Sequence, residues 1–147
     1  MNKRKSIVII IVISLILILA YFLYPKTGSF DDLILSKYTK DNFTNIMFQS
    51  SSHNEDRTIK DKKKINEFLT YMSQLNLKEY KKDIPEENKE TYYINIYGKD
   101  NNGMSIAVNH KNYISIYESF NNKRTKIKTY KITNKDIDME YIKKVLN

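Results

Sequence analysis

Imidazole, hydroxyl and carboxylate side chains brought together could do hydrolytic or metal chemistry, and this sequence offers few of them. Its two histidines are His53 and His110. Ser50-Ser51-Ser52 runs directly into His53, and Asp31-Asp32 and Glu86-Glu87 are adjacent acids. A nucleophile needs a base within hydrogen-bond reach and a third group to orient that base. A metal needs several convergent ligands. Both histidines fall in polar stretches that read as turns, without companions at helical or strand spacing. Adjacent carboxylates act as acid and base only in a cleft that separates their proton affinities. A hydrolase acting on envelope material would have to gather His53, His110 and Glu118 from distant segments. The expectation is therefore a chain that is not an enzyme, with no catalytic residue, metal or cofactor.

Other chemistries are excluded by composition. There are three glycines and none cluster, so no loop can cradle a phosphate. There is no cysteine, which excludes disulfides, thiolate chemistry and a lipid carried on an N-terminal Cys. The net charge of +8 suggests a polyanion partner only until it is mapped. Lys3, Arg4, Lys5 and Lys26 flank one apolar stretch, and without these four the chain has 21 basic against 17 acidic residues. Lys62-Lys63-Lys64 and Lys81-Lys82 are interspersed with acids. No basic stripe of the kind that tracks a nucleic-acid backbone is present, and no nucleic-acid partner is expected.

Tyrosine is what remains. In the C-terminal half, Tyr92, Ile94 and Ile96 alternate with Tyr93, Asn95 and Tyr97. Met104, Ile106 and Val108 alternate with Ser105, Ala107 and Asn109, and Ile114 and Ile116 with Tyr113, Ser115 and Tyr117. Period two places the first set of each group on one sheet face and the second on the other. The open face would carry Tyr93, Asn95, Tyr97, Ser105, Ala107, Asn109, Tyr113, Ser115, Tyr117, Lys126 and Lys128. Tyr gives large amphipathic contact area at low entropy cost, and Asn and Ser add adaptable hydrogen bonds. Tyr93, Asn95, Tyr97, Asn109, Tyr113 and Tyr117 are the candidate binding face.

The elements that must hold this face follow from punctuation and period. Ile7 to Tyr24 contains one polar side chain, Ser14. As a helix it would rise roughly 27 Å, near the ~30 Å of a bilayer core. It ends in bulky Tyr21-Phe22-Leu23-Tyr24-Pro25 rather than a small-residue cleavage site. The sequence thus predicts a cytoplasmic basic tail (1–6), an uncleaved single-pass transmembrane anchor (7–24) and a stalk (25–42). An extracytoplasmic domain (43–147) follows, the basic flank setting the orientation. Phe43 to Gln49 reads as a strand. Ile65, Phe68, Leu69, Met72 and Leu75 form one helical stripe behind Asp61 as N-cap. Lys99-Asp-Asn-Asn-Gly103 and His110-Lys111-Asn112 read as turns, with Gly103 where positive φ is most needed. Thr125 to Ile132 is a last strand, whose Ile127 is out of phase with Tyr130 and Ile132 unless a bulge intervenes. Thr133 and Asp136 resemble a capping box before a final helix. The fold class expected is α+β, with order β-α-β-β-β-β-α, an antiparallel meander and both helices on one face.

The stretches Ile59-Lys-Asp-Lys-Lys-Lys-Ile65, Tyr92-Tyr-Ile-Asn-Ile96, Tyr113-Ile-Ser-Ile-Tyr117 and Tyr130-Lys-Ile132 resemble small uncharacterised extracytoplasmic proteins of Firmicutes. Residues 43–147 are covered. The resemblance implies an N-terminal tether followed by a helix and a meander, and it brings no catalytic residues. The expected function is a membrane-tethered binding domain that recognises a protein or a cell-wall polymer, with residues 7–24 in the membrane. An immunity or inhibitor protein against a secreted toxin is the alternative.

Overall fold

The computed structural model describes residues 3–51, 56–84, 91–99, 102–120, 123–124 and 126–145. Helix α1 (Lys3–Leu23) is followed by β1 (Thr27–Ser29), the short helix α2 (Phe30–Leu33) and two 3-10 turns, Leu35–Lys37 and Lys40–Asn42. Then come β2 (Phe43–Ser50), β3 (Arg57–Ile59), α3 (Lys62–Ser73) and β4 (Asn76–Glu79). The chain continues through β5 (Tyr92–Gly98), β6 (Gly103–His110), β7 (Tyr113–Phe120), β8 (Lys123–Arg124), β9 (Lys128–Ile132) and α4 (Met139–Val145). All strand pairs are antiparallel, in the order β1-β4-β9-β7-β6-β5-β2-β3, with β8 paired to β7. The α+β class holds, as does the meander β5-β6-β7-β9.

Alternation decides which face is buried. Tyr92, Ile94, Ile96, Met104, Ile106, Val108, Ile114 and Ile116 are all buried, as the period-two reading requires. They share one core with Ile65, Phe68, Leu69 and Met72 of α3 and Ile142 and Val145 of α4. The start of α3 is fixed as expected: Asp61 Oδ1 accepts the N–H groups of Lys63 at 2.7 Å and Lys64 at 3.2 Å.

The N-terminal part requires correction. Among the described residues, no helix is long and apolar enough to cross a membrane. The transmembrane element of the expected fold is therefore withdrawn. None of the described α1 side chains joins the core, and the apolar residues from Ile7 to Leu19 are about half or more exposed.

The expected stalk is also part of the fold. Phe30, Ile34 and Leu35 are fully buried. Strand β1 pairs with β4 through Thr27↔Lys78, Gly28↔Leu77 and Ser29↔Asn76. Ser29 and Asp32 form a reciprocal capping box that starts α2.

At the other end, Ile127 precedes β9 and is exposed, so Tyr130 and Ile132 keep phase without a bulge. The same register puts Lys128 opposite Ile116 and Thr129 opposite Ser115. Lys128 thus belongs to the core-facing row, and Thr129 and Lys131 take the open-face places expected for lysines 126 and 128. The final helix is capped by Asp138, whose Oδ1 accepts the Tyr141 N–H at 2.9 Å. Thr133 instead donates its hydroxyl to the Asn76 carbonyl.

Candidate binding face

Helices α2, α3 and α4 all contribute to the core on one side of the sheet, which leaves the other side open. On that open side β6 bears small residues along Gly103, Ser105 and Ala107, before Asn109 near its end. Neighbouring β5 brings Tyr93, Asn95 and Tyr97, and β7 brings Ser115, Tyr117 and Ser119. The register sets Tyr97 opposite Gly103, Asn95 opposite Ser105 and Tyr93 opposite Ala107, with Tyr117 across from Ser105 on the far side. Small residues between two rows of larger ones make a trough. Its cavity is about 890 Å³ and is lined by these residues together with Ile127. None of the described side chains that line it is charged.

The exposed large apolar side chains converge there. Beyond α1 and the adjoining Tyr24, those found among the described residues are Tyr93 and Tyr97, each 43% exposed, and Ile127, 68% exposed. All three line the trough. Scattered exposed apolar residues need no explanation, but a cluster in one concavity marks an interaction site.

Two polar rows cross the strands and hold the floor in place. In the first, Gln49 Nε2 donates to Asp56 Oδ2 at 3.1 Å, Asn95 Nδ2 to Gln49 Oε1 at 3.2 Å, and Ser105 Oγ to Asn95 Oδ1 at 2.6 Å. In the second, Asn109 Nδ2 donates to Ser115 Oγ at 3.1 Å, and Ser115 Oγ shares a hydrogen with Thr129 Oγ1 at 3.1 Å. Each amide and hydroxyl keeps bonding capacity toward the open side, since a side-chain amide offers two donors and two acceptor lone pairs.

The six candidate residues separate. Tyr93, Asn95, Tyr97 and Tyr117 meet in the trough. Asn109 lies beside it through its bond to Ser115. Tyr113 does not take part: it is 8% exposed, packed against Tyr80 with ring centroids 5.0 Å apart and covered by Lys131 Nζ at 5.7 Å. Sequence reasoning missed Ile127 and Gly103 as parts of the site. The phase conflict at Ile127 was the available signal, because an apolar residue out of step with its strand is one that points elsewhere.

Of the three hydrolase candidates, only Glu118 has its side chain among the described residues. His53 lies outside the described residues, and of His110 only the backbone, at the end of β6, is described. Glu118 is opposite Met104 on the core-facing side, away from the trough. It is buried, and Lys37 Nζ meets its two oxygens at 2.7 and 2.9 Å. Beside this pair, burial foremost and then the Glu118 charge raise the Tyr38 hydroxyl above its ordinary pKa. Tyr130 is pushed up to about 12, by burial first and then by the charges of Glu79 and Glu118. Neutral phenols suit a core and stay neutral there. Among the described residues no group of three His, Asp or Glu could hold a metal ion.

The chain matches no family model, no curated protein and no solved structure. None of these comparisons supports the resemblance to extracytoplasmic proteins of Firmicutes.

Proposed function

We propose that the folded part of the chain is a non-catalytic binding domain whose recognition surface is the Tyr-walled trough, and that α1 holds it at a lipid surface. The observation that carries the first half is the convergence of Tyr93, Tyr97 and Ile127 on one concavity whose described lining carries no charge. Partly exposed tyrosines over a floor of fixed amides and hydroxyls suit a protein or an envelope polymer, because the rings give area and the polar rows give orientation. The second half is supported by the exposed apolar side chains of α1, which the domain does not cover. A helix apolar on all sides needs an apolar surround, and Lys3 and Lys5 at its start favour anionic headgroups.

The test of the trough is photo-crosslinking of the full chain in cells, compared with a Tyr93→Ser/Tyr97→Ser/Tyr117→Ser variant. Loss of the captured envelope partner by a variant that still folds is the expected result. Recovery of the same partners by that variant would falsify the proposal. For the lipid contact, the full chain should float with vesicles containing anionic phospholipid, and an Ile11→Lys/Leu15→Lys variant should remain at the bottom of the gradient.

A further inference from the structure

Three properties of the trough narrow what it can take, and the inference rests on the trough being the recognition surface. The first is charge. Charged residues are abundant in this chain, yet none of the described side chains that line the cavity is charged. The described lining offers hydroxyls, amides, phenol rings and aliphatic groups, which suit a neutral ligand. The second is the state of the floor. Strand β6 is interior, paired on one side with β5 and on the other with β7. Its backbone N–H and C=O groups are engaged in those ladders, so an extended peptide cannot add to them as a strand does at a sheet edge. The third is shape. Tyr93 and Tyr97 are four residues apart on one strand, about 13 Å at ~3.3 Å per residue. Ring faces spaced along a narrow floor of Gly103, Ser105 and Ala107 match a long, flat-sided ligand rather than a compact one.

We propose that the trough binds a neutral oligosaccharide, whose apolar ring faces stack on Tyr93 and Tyr97 while its hydroxyls bond Asn95 and Ser105. Sugar rings present exactly what those side chains lack: C–H faces for the phenols and many donors and acceptors for a row that has bonding capacity to spare. Ile127 closes one side of the trough with further apolar contact.

The experiment is calorimetric titration of the full chain in detergent micelles. The probes are dimers and hexamers of N-acetylglucosamine, glucose and mannose. A sulfated glucose hexamer, an oligothymidylate and an uncharged peptide serve as rivals. At least one neutral hexamer should bind more tightly than its dimer. Its affinity should be insensitive to salt, and should fall by about tenfold or more in Tyr93→Ser and in Tyr97→Ser. Tyr93→Phe should retain most of it, because the ring face is what matters. Thermal unfolding of each variant confirms that the fold persists, as partly exposed positions allow. Binding by no neutral hexamer, or tighter binding of the sulfated hexamer, the oligonucleotide or the peptide, overturns the assignment. If the hexamers fail while Tyr93- and Tyr97-dependent crosslinking still captures a partner, the ligand class is wrong and the recognition surface stands. If crosslinking is also unaffected, both fall.

Discussion

Tyr93 and Ala107 stand directly opposite each other across the β5–β6 ladder, so the cross-strand neighbour of this tyrosine on the floor of the trough carries only a methyl group. Ala107 also faces Ser115 on β7. Its side chain therefore sets the depth of the trough at this point. Ala107→Leu should fill the trough and weaken whatever it binds by about tenfold or more. The new side chain points to the open side, so the denaturant midpoint should correspond to a change within about 0.5 kcal/mol. Crosslinking yield and a urea titration of the same variant measure the two effects separately.

Lys37 and Glu118 lock the 3-10 turn after α2 onto β7. Glu118 has 6% of its side chain exposed and Lys37 has 41%. Removing the cation leaves a buried carboxylate with its main partner gone, whereas removing both charges leaves little to satisfy. Lys37→Met should cost about 1–3 kcal/mol. Lys37→Met combined with Glu118→Leu should recover much of that loss, as buried pairs often give way to apolar replacements of similar size. Urea unfolding of the single and double variants provides the cycle. A double variant less stable than the sum of its singles would show that the pair does more than neutralise itself.

The legibility of these features in the sequence was uneven for physical reasons. The centre of the sheet was readable because Tyr92 to Tyr117 alternates at period two, and the α3 stripe from Ile65 to Met72 because nothing interrupts its helical period. Short edge strands carry too few residues to show a period. Strands β1, β3 and β8, of three, three and two residues, were therefore missed, as was the four-residue inner strand β4. The segment holding Phe30, Ile34 and Leu35 passed for a stalk because its apolar residues sit in one helical turn followed by a 3-10 turn, a mixture with no single repeat. Alternation also placed Tyr113 on the correct face, but only tertiary packing against Tyr80 reveals that it is covered. Of the site itself, the tyrosines were legible. The trough was not, because it exists only where the small residues of β6 pass between them.

The buried phenols give the fold an alkaline limit. Tyr130 holds its proton up to about 12 in the folded chain, against an ordinary value of 10.0, and Tyr38 is shifted in the same direction. Raised folded-state values mean that the native state binds protons the unfolded state releases once pH exceeds the unfolded value. Their contribution is complete below about pH 10 and is lost as pH rises from there through the folded values. Stability measured by urea should therefore fall between about pH 10 and 12. A Tyr38→Phe/Tyr130→Phe variant should show a shallower decline than the parent over that window, since lysine titration is common to both. Equal slopes would mean that these hydroxyls do not set the limit.

Glycine at 103 is required by close approach rather than by backbone conformation. It opens β6 as a strand residue outside the left-handed region, contrary to the turn role its position suggests. A Cβ there would lie 2.5 Å from the Ile96 carbonyl oxygen and 3.5 Å from the Tyr97 Cα, all of it backbone of β5. The Gly103 carbonyl also accepts the Tyr38 hydroxyl at 2.9 Å. Any shift that relieves the clash strains that bond. Where a glycine has an ordinary conformation, replacement by alanine should help by about 0.4–1 kcal/mol through the unfolded state alone. At position 103 the clash should reverse the sign, so that Gly103→Ala costs about 1–3 kcal/mol. Gly28 supplies the contrast. Its added Cβ would meet the Leu33 side chain at 3.2 Å, and a side chain can turn aside where a strand cannot. Gly28→Ala should stay within about 0.5 kcal/mol of the parent. Parallel urea titrations of the two variants decide the matter, and equal losses at both positions would sink the close-approach account of Gly103.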